Sequence, residues 1–218
     1  MLRVAIDGPG GTGKSSIAKA IASRLGLEYV DTGAMYRSLG LKSLREGIDP
    51  ADLDAVEEML SRTVIDFNDN HTYLDGEDVS DLIRTNEISM AASNISKLVP
   101  VRAKVDEVSK HLAATRNVVM EGRDIGTVVI PDAEVKIFMT AAPEVRAQRR
   151  YDQLKAAGKP ADYDEIFADI QKRDYQDTHR ELNPLRQADD AVYLDTTNMT
   201  IEENIQAIVD IINEKSGK

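Results

Sequence analysis

Residues 8–15 read Gly8-Pro9-Gly10-Gly11-Thr12-Gly13-Lys14-Ser15, entered from the apolar run Val4-Ala5-Ile6 and followed from Ser16 by residues at helical spacing. A strand, a glycine-rich turn and a helix start are the context in which G-x-x-x-x-G-K-[ST] binds phosphate. Glycines let the backbone curl with its N–H groups inward, and the helix dipole adds positive charge where they converge. Lys14 then reaches toward the β- and γ-phosphates, and the Ser15 hydroxyl suits a Mg²⁺ ion. At this composition on the order of 0.005 chance matches are expected. The loop does not say where the phosphate goes, because switches, motors and small-molecule kinases all use it.

Composition narrows the choice. The 218 residues suffice for one sizeable core with an inserted subdomain, and no run approaches the ~18 apolar residues of a membrane span. Met1-Leu2-Arg3 leads directly into the apolar run, so no signal peptide is expected, and the lack of Cys is compatible with a reducing cytoplasm. The net charge of −11 argues against a nucleic-acid or anionic-membrane surface. It does not argue against a phosphorylated small substrate, since remote carboxylates are screened over ~8 Å while an adjacent arginine is not. Nine of the fifteen arginines lie from position 102 onward.

Helical spacing of Ile17, Ile21 and Leu25 ends at Gly26, and residues 27–31 read as a second strand ending in a carboxylate. Asp31-Thr32-Gly33 opens another helix closed by Gly47, so a parallel sheet with crossover helices is expected. A further helix is expected from Asp49-Pro50 to Leu60. Between about 63 and 98 the pattern changes to a small antiparallel hairpin set with a turn at Asn68-Asp69-Asn70 and Val79 adding a strand, read as a lobe inserted over the substrate side. Helical pattern resumes over 88–98, breaks at Pro100 and continues over 101–115. Strands are expected at 117–121, 135–139 and 192–195, with Gly122-Arg123-Asp124 at a carboxyl end, where open parallel sheets bind ligands. The last helix is expected to start with a capping box, Thr200 and Glu203, and to bury Ile201, Ile205, Ile208 and Ile212; residues 215–218 are expected to fray.

Arg173, Asp177 and Arg180 fall at i, i+4 and i+7, and Arg146, Arg149 and Arg150 share a helix face in the same way. An isolated triplet of this kind is usually a solvated surface. Two triplets flanking Gly158-Lys159-Pro160, in a chain with a phosphate loop, read instead as a flap over roughly 146–182. Phosphoryl transfer to a phosphate acceptor joins two anions that repel by about 4 kcal/mol per unit-charge pair at 4 Å and a dielectric near 20. Arginines offset that, and a closing flap excludes water.

The blocks 6–9, 31–37, 76–80, 83–85, 122–129 and Arg173-Asp174, together with the loop, resemble bacterial cytidylate kinases among the nucleoside monophosphate kinases. The resemblance runs along nearly the whole chain. It implies an α/β fold, a five-stranded parallel sheet flanked by helices in a three-layer α/β/α P-loop kinase domain over 1–218, with a nucleoside monophosphate (NMP)-binding lobe and a helical lid. It implies ATP held by residues 8–16, ending in Ser15 and Ser16, with Arg146, Arg149 and Arg150 as lid residues. By the family pattern Asp124 would accept from cytosine N4, Arg102 and Ser93 would bond the ring's other edge, and Asp177 would take the ribose hydroxyl. Thr32, Arg37, Arg123, Arg173 and Arg180 would surround the acceptor phosphate, and Lys14, Arg123, Arg173 and Arg180 would act in catalysis. Two positions depart from a common family form: Thr32 replaces Ser, and Glu121 replaces Asp.

The expected reaction is Mg²⁺-dependent transfer from ATP to CMP or dCMP, in a cytoplasmic monomer that binds neither nucleic acid nor membrane. The rivals are another acceptor, such as UMP or a small hydroxyl compound like shikimate, and a nucleotide-dependent switch. A guanine-specific switch would carry N-K-x-D, which is absent from the sequence.

Overall fold

A computed structural model describes residues 1–69 and 71–216; Asn70 of the expected turn and Gly217 and Lys218 of the expected frayed tail lie outside it. The chain begins with β1 (Arg3–Asp7), α1 (Lys14–Leu25), β2 (Glu28–Asp31), α2 (Thr32–Glu46) and α3 (Leu53–Ser61). It continues with β3 (Ile65–Asn68), β4 (His71–Leu74), β5 (Glu77–Asp78), α4 (Asn86–Ile95) and α5 (Val99–Thr115). The remainder comprises β6 (Val118–Gly122), β7 (Val135–Thr140), α6 (Pro143–Ala156), α7 (Tyr163–His179), β8 (Val192–Asp195) and α8 (Ile201–Ser216).

Five strands, those expected from the sequence, form the parallel sheet in the order β2-β6-β1-β7-β8. The chain divides into two compact units, residues 1–27 with 119–218 and residues 28–118. In the first, β1 and β7 pair in parallel with Ile6 opposite Ile137 and Asp7 opposite Phe138. Val4, Ala5, Ile6, Val119, Met120 and Val135 are inaccessible to solvent, as continuous apolar runs covered on both faces must be. Helix α1 buries Ile17, Ala18, Ile21 and Ala22, and α8 buries Ile205, Ile208, Val209 and Ile212. The capping box at α8 is present: Glu203 Oε2 accepts from Thr200 N–H at 2.7 Å, and Thr200 Oγ1 accepts from Glu203 N–H at 3.3 Å. Ile201 departs from its expected stripe. It is 64% exposed, because the helix begins there and its first turn is left uncovered.

In the second unit, β3, β4 and β5 form an antiparallel sheet that turns Ile65, Phe67 and Leu74 inward. The added strand is β5, which ends at Asp78 one residue before Val79; Val79 itself is buried and donates its N–H to the Thr72 carbonyl at 2.9 Å. Helix α2 is capped by Asp31, whose Oδ1 accepts from Ala34 N–H at 2.9 Å, and ends at Gly47 with φ 65°. Its Gly40 admits α4 closely: a Cβ there would lie 2.8 Å from the Ala92 nitrogen. Two expected boundaries move. Asp49 spends its carboxylate on a turn, accepting from Ala51 N–H, and the helix starts three residues later with Asp52 capping Ala55. Pro100 lies in the first turn of α5 and does not break it, since its missing N–H has no intrahelical partner there.

Candidate active site

The phosphate loop follows from what its glycines permit. Gly8 has φ 149°, and a Cβ on it would lie 1.9 Å from the Met139 carbonyl oxygen, so only glycine fits beside β7. Gly13 adopts a left-handed conformation (φ 94°) and caps α1, whose first helical bond runs from Ile17 N–H to the Gly13 carbonyl. The N–H groups of Lys14, Ser15 and Ser16 therefore head the helix without helical acceptors. Ser15 and Ser16 are exposed, while Thr12 is buried with its hydroxyl donating to the Pro9 carbonyl. Lys14 curls back over the loop, donating to the carbonyls of Gly8 (2.8 Å) and Pro9 (2.6 Å). Burial, with Arg123 adding repulsion, pushes its ammonium down to about 7, against the pull of Glu121, Asp7 and Asp177.

Beside this loop stands the turn after β6. Asp7, the last residue of β1, accepts from Ile125 N–H (2.8 Å) and Gly126 N–H (2.7 Å), the head of a single π-helical turn, Ile125–Val129. Arg123 Nε donates to Asp177 on α7 at 2.7 Å, and a Cβ on Gly10 would lie 3.4 Å from Arg123 Nη2. Burial pulls the Arg123 guanidinium down, but the Asp177 carboxylate outweighs it and holds its pKa above the ordinary value. Arg180, just past α7, lies 3.2 Å from Asp124 and donates from Nε to the Asn183 carbonyl at 2.6 Å. Arg173 is exposed on α7, and its side chain makes no hydrogen bond or ion pair among the described residues.

The three α6 arginines separate. Arg146 is buried, and its guanidinium donates to the Gly10 carbonyl (3.0 Å) and to both carboxylate oxygens of Asp174 on α7. Arg149 donates to the carbonyls of Thr12 (3.3 Å) and Thr196 (2.7 Å). Arg150 is exposed and bonds Gln153 one turn on. Two of the three thus touch the phosphate loop backbone. The sequence reading missed Asp174 as the partner of Arg146; its adjacency to Arg173 was visible, but which carboxylate of α7 meets which arginine depends on packing.

In the second unit, Thr32 is buried at the head of α2, and Arg37 donates from Nη2 to Asp31 at 2.8 Å. The buried Arg102 guanidinium stands over the Tyr36 ring, 5.8 Å from its centroid, an interaction with no sequence signal. Ser93 is exposed on α4.

A model of the family described as cytidylate kinase matches residues 4–214. The chain belongs to the cytidylate kinase family. It is 47% identical over 215 residues to a cytidylate kinase of Mycobacterium leprae, covering 98% of this chain and 96% of that one. It is 45% identical over 220 residues to a cytidylate kinase of Caldicellulosiruptor saccharolyticus, covering 99% and 97%. A shikimate kinase structure from Bacteroides thetaiotaomicron shares the fold, with a TM-score of 0.50 at 14% identity over 97% of this chain and 98% of that one. Membership makes the chain a phosphotransferase enzyme of the (d)CMP kinase class, with a P-loop kinase fold.

No group of three or more His, Cys, Asp or Glu able to hold a metal occurs among the described residues, and both Asp7 oxygens are taken by backbone N–H groups. The exposed Ser15 hydroxyl at the loop's end fits Mg²⁺, which takes few protein ligands and completes its shell with phosphate oxygens and water. No described helix is long and apolar enough to cross a membrane.

Proposed function

We propose that the enzyme transfers the γ-phosphoryl group of ATP to CMP or dCMP, giving ADP and CDP or dCDP, with the residue roles that follow. The observation that carries this reading is the placement of the Arg123 guanidinium against Gly10 of a loop that also holds Lys14. One cluster then offers positive charge to a donor phosphate and to an acceptor phosphate together. Residues 8–16 cradle the donor phosphates. Lys14 leaves the loop carbonyls for the β- and γ-oxygens, and Arg146 and Arg149 hold the loop in shape. Ser15 would hold Mg²⁺, which would neutralise charge on the donor phosphates.

Arg123, Arg173 and Arg180, with Thr32 and Arg37, bind the acceptor phosphate. Asp124 accepts from cytosine N4, Arg102 and Ser93 serve the ring's other edge, and Asp177 takes the ribose. Buried Asp124 and buried Arg102 suit those roles, because a polar base edge leaving water needs partners already in place. No general base is required: the attacking oxygen belongs to a phosphate whose second pKa is about 6, so it is already anionic near neutrality. Catalysis is positioning and charge stabilisation. The segments 63–98 and 146–182 serve as NMP lobe and lid. Both substrates are soluble cytoplasmic nucleotides and every assigned residue comes from one chain, so we place the enzyme in the cytoplasm as a monomer.

An acceptor panel read by ADP release tests the proposal. CMP and dCMP should turn over fastest, UMP at least tenfold less efficiently because its O4 meets the Asp124 carboxylate acceptor to acceptor, and shikimate not at all. A hydroxyl acceptor outpacing CMP would overturn the reading. Asp124→Ala should raise the CMP KM by about 10- to 100-fold and leave that of ATP nearly unchanged; equal losses would remove Asp124 from base recognition.

A further inference from the structure

Asp7 is a buried carboxylate for which the mechanism has no chemical use. It is 5% exposed, ends β1, and is followed directly by Gly8, the first residue of the phosphate loop. Its two oxygens meet two backbone N–H groups 118 and 119 residues away, at Ile125 and Gly126. Those N–H groups open the π-helical turn and have no helical acceptor, so Asp7 caps that turn from a different strand. The same turn is secured from its other side: the Asp124 carbonyl accepts from Val128 N–H (2.9 Å) and Val129 N–H (3.3 Å), and Ile130 N–H donates to the Ile125 carbonyl (2.8 Å). Asp124 and Arg123 immediately precede this capped segment, and Asp124 holds a backbone (φ −141°, ψ 23°) outside the regular regions.

We propose that Asp7 is a positioning residue for the acceptor, fixing where Arg123 and Asp124 stand relative to the phosphate loop. It does so because one rigid strand end carries both the loop's first residue and the cap of the acceptor turn. Gly8 cannot shift toward β7, since its Cα already lies against the Met139 carbonyl. Any loosening of the cap therefore displaces the turn and leaves the loop in place. The turn has little slack of its own: a Cβ on Gly126 would lie 3.2 Å from Lys136 Cδ and 3.4 Å from Asp7 Oδ2. Electrostatics fit the same placement, because the Asp7 carboxylate feels both the Lys14 ammonium on the donor side and the Asp124 carboxylate on the acceptor side.

This inference rests on the assignment of Arg123 and Asp124 to the acceptor, and the acceptor panel on the unaltered enzyme checks that assignment independently. The test is a mutant cycle on steady-state kinetics. Asp7→Asn keeps size and one acceptor oxygen but sets an NH₂ against a backbone N–H. The CMP KM should rise at least tenfold with the ATP KM within threefold. In an Asp124→Ala background the same change should raise the CMP KM by at most a third of that factor, because its route to the base is gone and only the one through Arg123 remains. A purely structural role predicts the same factor in both backgrounds, and that result, or equal rises for CMP and ATP, overturns the proposal. Should Asp7→Asn not fold, Gly126→Ala moves the same turn by crowding. It should give the same CMP-selective rise, severalfold in size, and the same weakening of effect beside Asp124→Ala; a CMP KM unchanged by Gly126→Ala, or raised equally in both backgrounds, overturns it likewise.

Discussion

Lys14 is where folding and function pull in opposite directions. Its ammonium is buried against loop carbonyls, and burial first, then Arg123, lowers its pKa to about 7. An unfolded lysine near 10.5 binds more protons than the folded one between pH 7 and 10.5, so this group alone makes stability rise with pH across that window. Asp7 behaves in the opposite sense: burial raises it from 3.8 to about 6, the folded state holds the extra proton, and its contribution to stability falls as pH rises from 3.8 to 6. ATP should reverse the Lys14 shift, since phosphate oxygens favour the charged form. Calorimetric titration with ATP at pH 8, repeated in two buffers of different ionisation enthalpy, should therefore show net proton uptake; proton release would contradict Lys14 as the phosphate ligand. Lys14→Ala should lower kcat by about 10²–10³ or more, the scale of one lost transition-state charge partner, and near-normal turnover would overturn the assignment.

At the scale of elements, α7 is unusual in having no buried residue. Its ties to its own unit include ionic ones: Asp174 to Arg146, Asp177 to Arg123, and Arg180, just beyond its end, to Asp124. A helix held in this way leaves its position open to anions that compete for the same arginines. Asp174→Asn removes the paired charge beside Arg146, whose side chain is 3% exposed, and should cost about 1–2 kcal/mol locally after allowance for the part-exposed carboxylate. Hydrogen exchange of amides 163–179 should then speed by about tenfold, and unchanged protection would mean that the tie does not hold the helix. The spacing of Arg146, Arg149 and Arg150 placed them on α6, as found. It did not foretell that Arg146 and Arg149 would bond loop carbonyls while Arg150 faces solvent, because helical periodicity describes a face and not its neighbour.

For the whole molecule, the net charge of −11 coexists with a cluster of arginines and a lysine at the phosphate loop. Substrate binding should register as global stabilisation: ATP at 100 times its Kd adds about 2.7 kcal/mol to a folded state that alone binds it, roughly 5–10 °C in Tm for a chain of this size. A thermal shift below 1 °C under those conditions would argue against native-state binding. The sequence alone determined the phosphate loop, the five sheet strands and the family, because glycine spacing, apolar runs and motif order are local properties of the chain. Only the tertiary structure decided that Asp7 caps a turn 118 residues away, that Asp174 and Asp177 divide Arg146 and Arg123 between them, and that α3 starts at Leu53. In each case several carboxylates or start signals compete for one partner. The choice is made by which backbone N–H or guanidinium folding brings within about 3 Å, a distance that no sequence spacing encodes.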